Sequence, residues 1–370
     1  MRRVYKVALA SIASRKSLAI AKSIKTALGG KILGISHRSH PFNYSSLFDE
    51  VIVVEESRGG EAWGSLVVDI AVKKGADVVV PVDFLDVVSL SKLRNPPLPV
   101  AAPTHDAVVL ASNKAALPEL LGYDVVPPLV VVNSQDDKAK ITKLAPPVVV
   151  KGLSDASSPE FFTDIEEAGK AATSRIPCIV QEYVPGRARG YEAVAYKGEP
   201  LIEFTHERTV EYDPGGGPSL GARGPILDPN LYRLGRLVLR RLSWTGPLMV
   251  ETKWIPQEGR YYIIELNPKF WGSLDLPVSL GYHIPAVLIK AVLEGPEEAR
   301  KLAKSLYVKR GEFYWVLDGF RYLAKIPSTW FYMLKRAKLS DISVSDPARV
   351  VVQLSVAIKK HSDEKQKWIQ

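Results

Sequence analysis

The N-terminal part of the chain alternates short apolar runs with segments that are long enough to form helices. Four runs, at residues 4–10, 31–35, 51–55 and 77–82, are rich in β-branched side chains. Because parallel strands need crossover connections, this alternation predicts a parallel sheet with intervening helices, which is an open α/β domain. The first run is followed by SIASRK at residues 11–16 and not by a G-x-G-x-x-G turn. The dinucleotide-binding fingerprint is therefore missing where it would have to lie, and we discount a dehydrogenase.

The length and composition are those of a globular chain with two or three packed units. The 370 residues are 46% hydrophobic and 24% charged, and apolar stretches last only a few residues before a charge, Pro or Gly interrupts them. We therefore expect no membrane-spanning helix. The first residues lack the apolar region and cleavage site of a secretory signal, so a cytoplasmic location is expected. The only cysteine, Cys178, stands in an apolar run and is expected to lie in the core.

The net charge of +9 is concentrated towards the C-terminus. Residues 301–370 contain 14 Lys and Arg against 6 Asp and Glu, so residues 1–300 are almost neutral. The first 300 residues offer no basic face, and we expect no nucleic-acid partner. The basic tail interleaves aromatic residues, as in GEFYWVLDGFRYLAKIPSTWFYMLKRAKL. Such a segment could lie on an anionic membrane surface, but a helical cap that packs its aromatic side chains on the main body is the favoured interpretation.

Prolines divide the chain into an N-terminal domain and a longer region of different character. Four prolines between residues 96 and 103 favour an extended linker, which places the first boundary near residue 105. Residues 106–300 then form a predicted α+β domain with antiparallel strands, and residues 301–370 a basic, aromatic and helical extension. The expected strands cover residues 146–152, 176–184, 191–196 and 201–205, and the expected helices cover residues 112–121, 165–172 and 230–242. The glycine-rich residues 213–224 are expected to form a long loop.

A predicted hairpin carries the most informative polar residues. The strands PLMVETKW and RYYIIELNP flank a turn that contains Pro256 and Gly259. Antiparallel pairing places Glu251 opposite Glu265, and Asn267 on the same face as Glu265. Like charges that face each other are destabilising unless a cation neutralises them, and oxygen ligands suit Mg²⁺ better than Zn²⁺. The alternative is a solvent-exposed hairpin edge with scattered polar residues.

Two lysines and a carboxylate lie upstream of this hairpin. Lys151 ends an apolar strand and precedes a loop of small residues, 152–158, whose N–H groups and hydroxyls could hold phosphate oxygens. Lys114 lies in the helix expected at residues 112–121. Glu182 ends the strand IPCIVQEYV, where it and the next backbone groups could contact an adenine edge. Taken alone, each is better explained as an ordinary surface residue.

The order and spacing of all these elements resemble the ATP-grasp superfamily, whose members include D-alanine:D-alanine ligase, biotin carboxylase and carbamoyl phosphate synthetase. The resemblance runs from residue 1 to about residue 295 and rests on SNKAALPELLGYDVVPP, PPVVVKG, IVQEYVPG, PLMVETK and YIIELNPKFWGS. Within the superfamily, the chain looks most like an uncharacterised group of carboxylate-amine ligases that shares the EYDPGGGPS and ELNPKFWGSL type of sequence. The resemblance implies an open α/β domain followed by an ATP-grasp α+β fold, whose two subdomains hold ATP between them.

The resemblance also implies a role for each residue that matches a family motif. The implied Mg²⁺ ligands, with Mn²⁺ as an alternative ion, are Glu251, Glu265 and Asn267. The implied ATP contacts are Lys114, Lys151, Ser154, Ser157, Glu182, Tyr183 and Val184. Arg223 and Lys269 are candidates to stabilise the charge that develops on the transferred phosphoryl group.

Two positions depart from the family pattern. The acid that contacts ribose often stands seven residues after the hinge glutamate, but Arg189 occupies that position and leaves Glu192 as a substitute. The phosphate loop contains Asp155, which would repel the nucleotide if it pointed inwards. We therefore expect the ribose contact and the phosphate loop to differ from those of typical members.

These roles imply an enzyme that uses Mg²⁺ and ATP to activate a carboxylate as an acyl phosphate. An amine then displaces phosphate, so that ADP and phosphate are released. The partners are thus a small-molecule acid and amine, whose sites in this superfamily are built from variable loops and the first domain. No sequence feature indicates an oligomeric state. The alternative is a non-catalytic nucleotide-binding sensor or scaffold protein, which would have little reason to keep two facing carboxylates.

Overall fold

Three β-sheets organise the fold, and helices pack against them. The computed structural model describes residues 4–154, 159–213, 216–323, 327–342 and 350–358. The order of the elements confirms the expected fold class, with an open α/β region followed by an α+β region.

The first sheet is parallel and four-stranded, in the order β3-β2-β1-β4. Its elements are β1 (Lys6–Ala10), α1 (Arg15–Leu28), β2 (Lys31–Ser36), β3 (Glu50–Val53), α2 (Glu61–Lys73), β4 (Val78–Val80) and α3 (Phe84–Ser91). The four apolar runs of the sequence are these four strands. Because β2 and β3 lie on one side of β1 and β4 lies on the other, the carboxyl ends of β1 and β4 flank a topological switch point, where open sheets usually bind ligands.

Local sequence signals fix the helix that follows β1. The side chain of Ser14 accepts a hydrogen bond from the Lys16 N–H at the start of α1, and Gly29 ends the helix with a φ of 64°. Such a left-handed residue favours glycine at a helix end. The buried face of α1 includes Leu18 and Ile24, which belong to the largest apolar cluster of the protein.

The second sheet is antiparallel, in the order β5-β8-β6-β7. The elements of this part are α4 (His105–Ser112), α5 (Leu117–Leu121), β5 (Leu129–Val132), α6 (Lys138–Ile141), β6 (Val148–Gly152), β7 (Glu160–Phe162), α7 (Ile165–Thr173) and β8 (Cys178–Glu182). Cys178 is fully buried in the core of this sheet, as expected. The helix predicted at residues 112–121 is not continuous: α4 ends at Ser112, a 3₁₀ turn covers Lys114–Ala116, and α5 begins at Leu117.

The third sheet is antiparallel and six-stranded, in the order β13-β12-β9-β10-β11-β14. Its elements and the helix between them are β9 (Arg187–Tyr196), β10 (Glu199–Asp213), β11 (Gly216–Gly224), α8 (Pro229–Arg241), β12 (Gly246–Ile255), β13 (Arg260–Asn267) and β14 (Gly311–Tyr314). The two strands β12 and β13 form the predicted hairpin.

The prediction of a long loop at residues 213–224 is wrong, because most of that segment forms strand β11. Glycine has a low strand propensity, but here the missing side chains make room for close packing. A Cβ on Gly224 would come within 2.4 Å of the Phe204 ring, and one on Gly221 within 3.0 Å of the Tyr314 ring. The tertiary contacts therefore select a strand where the local composition favours a loop.

The C-terminal part contains α9 (Asp275–Ser279), α10 (Ile284–Glu294), α11 (Pro296–Ser305), α12 (Val316–Gly319) and α13 (Pro327–Arg336), and residues 350–358 are also helical. Residues 301–370 were predicted to be helical, but they also contribute strand β14, which pairs with β11 in the third sheet. Phe313, Tyr314 and Trp315 are buried against the main body. Among the described residues, no helix combines the length and the apolarity that crossing a bilayer would require.

Candidate active site

Two glutamates face each other across the β12–β13 hairpin. Glu251 pairs with Glu265 in the register of the two strands, as the hairpin sequence predicted. Asn267 lies two residues further along β13 and is buried. Its side-chain amide donates to Glu265 Oε1 at 3.0 Å and lies 3.4 Å from Glu251 Oε1. The three oxygen-bearing side chains therefore gather at one point of the sheet.

Cationic side chains flank the facing glutamates. Arg208 Nη2 lies 3.1 Å from Glu251 Oε2, and Lys114 Nζ lies 3.2 Å from Glu265 Oε2. Burial raises the pKa of Glu251, and the charge of Glu265 adds to this rise while Arg208 opposes it. Burial also opposes ionisation of Glu265, but Lys114 and Lys151 outweigh it and lower the pKa of that carboxyl. Glu265 is thus held as a carboxylate beside a neighbour that resists ionisation.

The donor set fits Mg²⁺. Within the part of the chain that the structure describes, no group of three or more His, Cys, Asp or Glu side chains is arranged to hold a metal. A cation at the hairpin would therefore be held by two carboxylates and the Asn267 amide, with water and phosphate oxygens completing its shell. A few oxygen ligands with open positions are typical of Mg²⁺ sites.

The second sheet brings a buried lysine towards this hairpin. Lys151 stands near the end of β6 and is only 7% exposed. Burial lowers its pKa to about 8, although the charge of Glu265 opposes this shift. Lys114 is equally buried, because its 3₁₀ turn is tied to the end of β6 by a hydrogen bond from its N–H to the Leu153 carbonyl at 2.9 Å. Neither lysine is the solvated residue that its local sequence suggests.

A cavity of about 300 Å³ separates the second and third sheets, and these charged groups line it. Its volume is at the lower end of the range for small-molecule sites. Lys114, Lys151, Glu251 and Glu265 lie on its polar side. The structure therefore brings together four of the residues that the sequence proposed.

The predicted adenine-binding segment forms another wall of the same cavity. Glu182, Tyr183 and Val184 all line it. The carboxylate of Glu182 accepts a hydrogen bond from the Ala145 N–H at 2.8 Å. The Tyr183 N–H donates to the Pro147 carbonyl at 2.9 Å, which holds this segment against the start of β6.

Several other predicted residues do not line the cavity. Ser154 is exposed outside the lining, and Ser157 lies outside the described residues. Glu192 is fully buried in β9, where one oxygen accepts a hydrogen bond from the Ser273 hydroxyl at 3.2 Å and lies 3.0 Å from His206 Nδ1. A ribose contact by Glu192 therefore has no support in this arrangement.

The two predicted charge-stabilising residues have different surroundings. The side chain of Arg223 is 53% exposed and donates to Glu207 at 2.6 Å, away from the cavity lining. Lys269 lies 5.5 Å from the centre of the Phe84 ring. Burial lowers its pKa to about 7, and the positive charges of Lys16 and Lys114 contribute. Lys269 is thus near other cationic groups, whereas Arg223 forms an ion pair with Glu207 outside the cavity lining.

The sequence missed a row of polar residues on β10. His206 and Arg208 line the cavity on the same face of the strand, and Arg208 contacts Glu251. Their spacing of two residues is a recognisable strand signal. The signal was not recognised in the sequence, because the strand was expected to end at residue 205 and β10 continues to Asp213.

Arg189 also lines the cavity, at the position where the family often has a ribose-binding acid. Its guanidinium donates to Glu207 at 2.7 Å, to Asp228 at 3.1 Å and to the Tyr261 hydroxyl at 2.6 Å. It also lies 5.4 Å from the centre of the Trp254 ring. Arg189 is therefore held in a fixed network of ion pairs.

Comparison with known proteins shows that several solved structures have a similar fold. No protein-family model matches the chain, and no curated protein sequence matches it either. The N5-carboxyaminoimidazole synthetase of Staphylococcus aureus is 13% identical, with a TM-score of 0.66 over 90% of this chain and 87% of that chain. An ADP complex of N5-carboxyaminoimidazole ribonucleotide synthetase is 15% identical, with a TM-score of 0.67 over 88% of this chain and 86% of that chain.

A biotin carboxylase from Campylobacter jejuni, in a nucleotide complex, is also similar. It is 15% identical, with a TM-score of 0.64 over 83% of this chain and 74% of that chain. At such identities the similarity concerns the fold. The resemblance found in the sequence and the three-dimensional similarity agree, and the chain has the ATP-grasp fold.

Proposed function

We propose that this protein is an ATP-dependent carboxylate-amine ligase that forms a carbon-nitrogen bond and releases ADP and phosphate. The observation that carries the proposal is the pair of facing carboxylates, Glu251 and Glu265, in a cavity that also contains the buried Lys114 and Lys151. Such a set of groups is suited to neutralise and position polyphosphate, which is the main task of a phosphoryl-transfer site.

Each wall of the cavity has a proposed role in binding ATP. Glu182, Tyr183 and Val184 are placed to contact adenine, while Lys114 and Lys151 are placed to contact the phosphates. Glu251, Glu265 and Asn267 would hold Mg²⁺, which when bound neutralises phosphate charge and orients the phosphoryl group for in-line transfer. Two similar solved structures support this use of nucleotide and metal, since one contains ADP and another MgADP with bicarbonate.

The reaction proposed is activation of an acid as an acyl phosphate, followed by attack of an amine. A carboxylate oxygen of the acid attacks the γ-phosphorus of ATP, and the bond to the bridging oxygen of ADP breaks. The amine nitrogen then attacks the acyl carbon, phosphate leaves, and the nitrogen loses a proton. Lys269, beside Lys16 and Lys114, would stabilise the negative charge that develops on the transferred group. The proposed location is the cytoplasm.

The proposal is tested by ADP release and by isotope transfer. Full-length protein is incubated with Mg²⁺, ATP and panels of acids and amines, and ADP is measured. With an acid labelled with ¹⁸O in its carboxylate, the released phosphate should contain one label, since the attacking oxygen leaves with phosphorus. The variant Glu251→Gln is the inactive control. Tight ATP binding without turnover for any acid and amine would instead favour a nucleotide sensor or scaffold.

A further inference from the structure

A second cavity of about 400 Å³ lies at the carboxyl edge of the parallel sheet. Residues 13–16 after β1, Arg38 after β2 and Asp83 after β4 all line it. This is the switch point between β1 and β4, where open α/β sheets bind ligands. The volume is sufficient for a small organic molecule.

Three cationic side chains, those of Arg15, Lys16 and Arg38, line this second cavity together with three aspartates, and Arg58 reaches Asp83 from outside the lining. Lys16 and Arg58 both pair with Asp83. Arg15 pairs with Asp318 at 2.8 Å. The remaining guanidinium, that of Arg38, is exposed and makes no ion pair with another described residue. Arg38 is therefore the cationic group of this lining that no described carboxylate pairs, and it can bind an anionic ligand without breaking an ion pair.

The carboxyl of Asp341, on the same wall, is occupied by the backbone of the C-terminal extension. It is 1% exposed and accepts hydrogen bonds from the N–H groups of Leu317 and Asp318, both at 3.0 Å. Burial raises its pKa to about 7. An anionic ligand would therefore meet Arg38, Arg15 and Lys16 without a compensating set of free carboxylates.

A loop connects the second cavity with the cavity between the second and third sheets, which is the one proposed for ATP and is called the nucleotide cavity below. Gly272, on the loop that follows β13 and contains Lys269, lines the second cavity. Lys269 Nζ lies 5.5 Å from the centre of the Phe84 ring, next to Asp83 of the second cavity, and Lys269 stands two residues after Asn267. Lys269 therefore lies between the place proposed for the ATP phosphates and the carboxyl edge of the parallel sheet.

The C-terminal extension completes this second cavity. Asp318, Asp341, Gln353 and Val356 line it, and all lie beyond the part of the chain that resembles the superfamily. Asp318 also holds the Arg15 guanidinium, which lies 5.1 Å from the centre of the buried Trp315 ring. The extension thus orients a cationic residue of the parallel-sheet region.

We propose that the second cavity binds the acid substrate, and that this acid carries a second anionic group held by Arg38 and Arg15. The reacting carboxylate would then face Lys269 and the nucleotide. This inference rests on the proposed function, because it assigns the acid of the same reaction. Arginine is well suited to the second group, since its guanidinium can donate two parallel hydrogen bonds to a carboxylate or a phosphate.

Calorimetric titration of the full-length protein with Mg²⁺ and ADP present tests the inference without turnover. The probes are glutarate, phosphonoacetate and the monocarboxylate butyrate. Glutarate or phosphonoacetate should bind at least tenfold more tightly than butyrate, and the better of the two identifies the second group as a carboxylate or a phosphorus acid. Arg38→Gln should weaken that probe at least tenfold and leave ADP affinity unchanged. Arg241→Gln, an exposed arginine at the end of α8, is the matched control.

Any other result of these titrations contradicts either this inference or the proposed function. If butyrate binds as tightly as both dianions, if no probe binds while ADP does, or if Arg38→Gln binds the better probe like the control, the inference is overturned and the proposed function stands. If ADP itself does not bind, the proposed function is overturned, and this inference with it.

Discussion

The two cavities are built in different ways and arrange their charged groups differently. The nucleotide cavity places two carboxylates on paired strands of one hairpin, where the register alone makes them face each other. The second cavity gathers cationic residues from loops of the parallel sheet and closes them with residues 318–356. The facing carboxylates of the first are suited to a cation, and the unpaired Arg38 of the second is suited to an anion. In the reaction proposed above, ATP and the acid would thus be bound by structures of different kinds, and four changes test this comparison.

The largest effect is expected from removing one charge of the facing pair. In Glu265→Gln the lysines lose their carboxylate partner and the metal site loses a ligand, so ADP formation should fall at least about a thousandfold. Glu258→Gln, in the exposed turn of the same hairpin, is the control and should retain full activity. ADP release is measured for both. Retention of more than a tenth of the activity by Glu265→Gln would remove the metal site from the proposal.

The second change tests whether the two cavities are independent. Trp315 is fully buried in the C-terminal extension beside Arg15, so Trp315→Ala should lower the free energy of unfolding by about 3–5 kcal/mol. Urea unfolding measures this loss. Phe331→Ala, an exposed aromatic of α13, should have almost no effect.

Under conditions in which Trp315→Ala remains folded, its ADP affinity should change less than about threefold, because the nucleotide cavity shares no lining residue with the extension. A parallel loss of ADP affinity would show that the two cavities are coupled.

The third change concerns the lysine that the second sheet brings to the metal site. Lys151→Met keeps a similar side-chain length but removes the buried charge, and it should weaken ADP binding about 10- to 100-fold, since a phosphate contact is lost. Titration calorimetry measures the affinity. Lys143→Met, at an exposed position before β6, provides the comparison. Equal affinities of the two variants would mean that Lys151 does not contact phosphate.

The smallest effect is expected for Arg223. Its side chain is half-exposed and pairs with Glu207 outside the lining of the nucleotide cavity. Arg223→Gln should therefore change the rate of ADP release less than about threefold, because Glu207 keeps its second partner, Arg189. A fall of a hundredfold would show that Arg223 acts on the transferred phosphoryl group during the reaction.

Most of the fold could be predicted from local patterns. The four parallel strands were visible as apolar runs, and the hairpin was visible because its strands flank a turn with Pro256 and Gly259. Strand periodicity then placed Glu251, Glu265 and Asn267 correctly. The extent of β10 and β11 could not be predicted, because the glycine-rich composition of β11 favours a loop and only the close approach of Phe204 and Tyr314 explains glycine at positions 224 and 221. His206 and Arg208 were missed with them.

The sequence alone determined the order of the elements and the pairing of the two glutamates, because side-chain alternation and hairpin register depend on residues that are close in the chain. Only the tertiary structure decided that Lys114 is buried against Glu265, that Arg189 is held by Glu207 and Asp228, and that the C-terminal extension closes a cavity at the parallel sheet. These contacts join residues that are far apart in the chain, and no local pattern encodes which of them meet. Their positions follow from how the sheets and helices pack together.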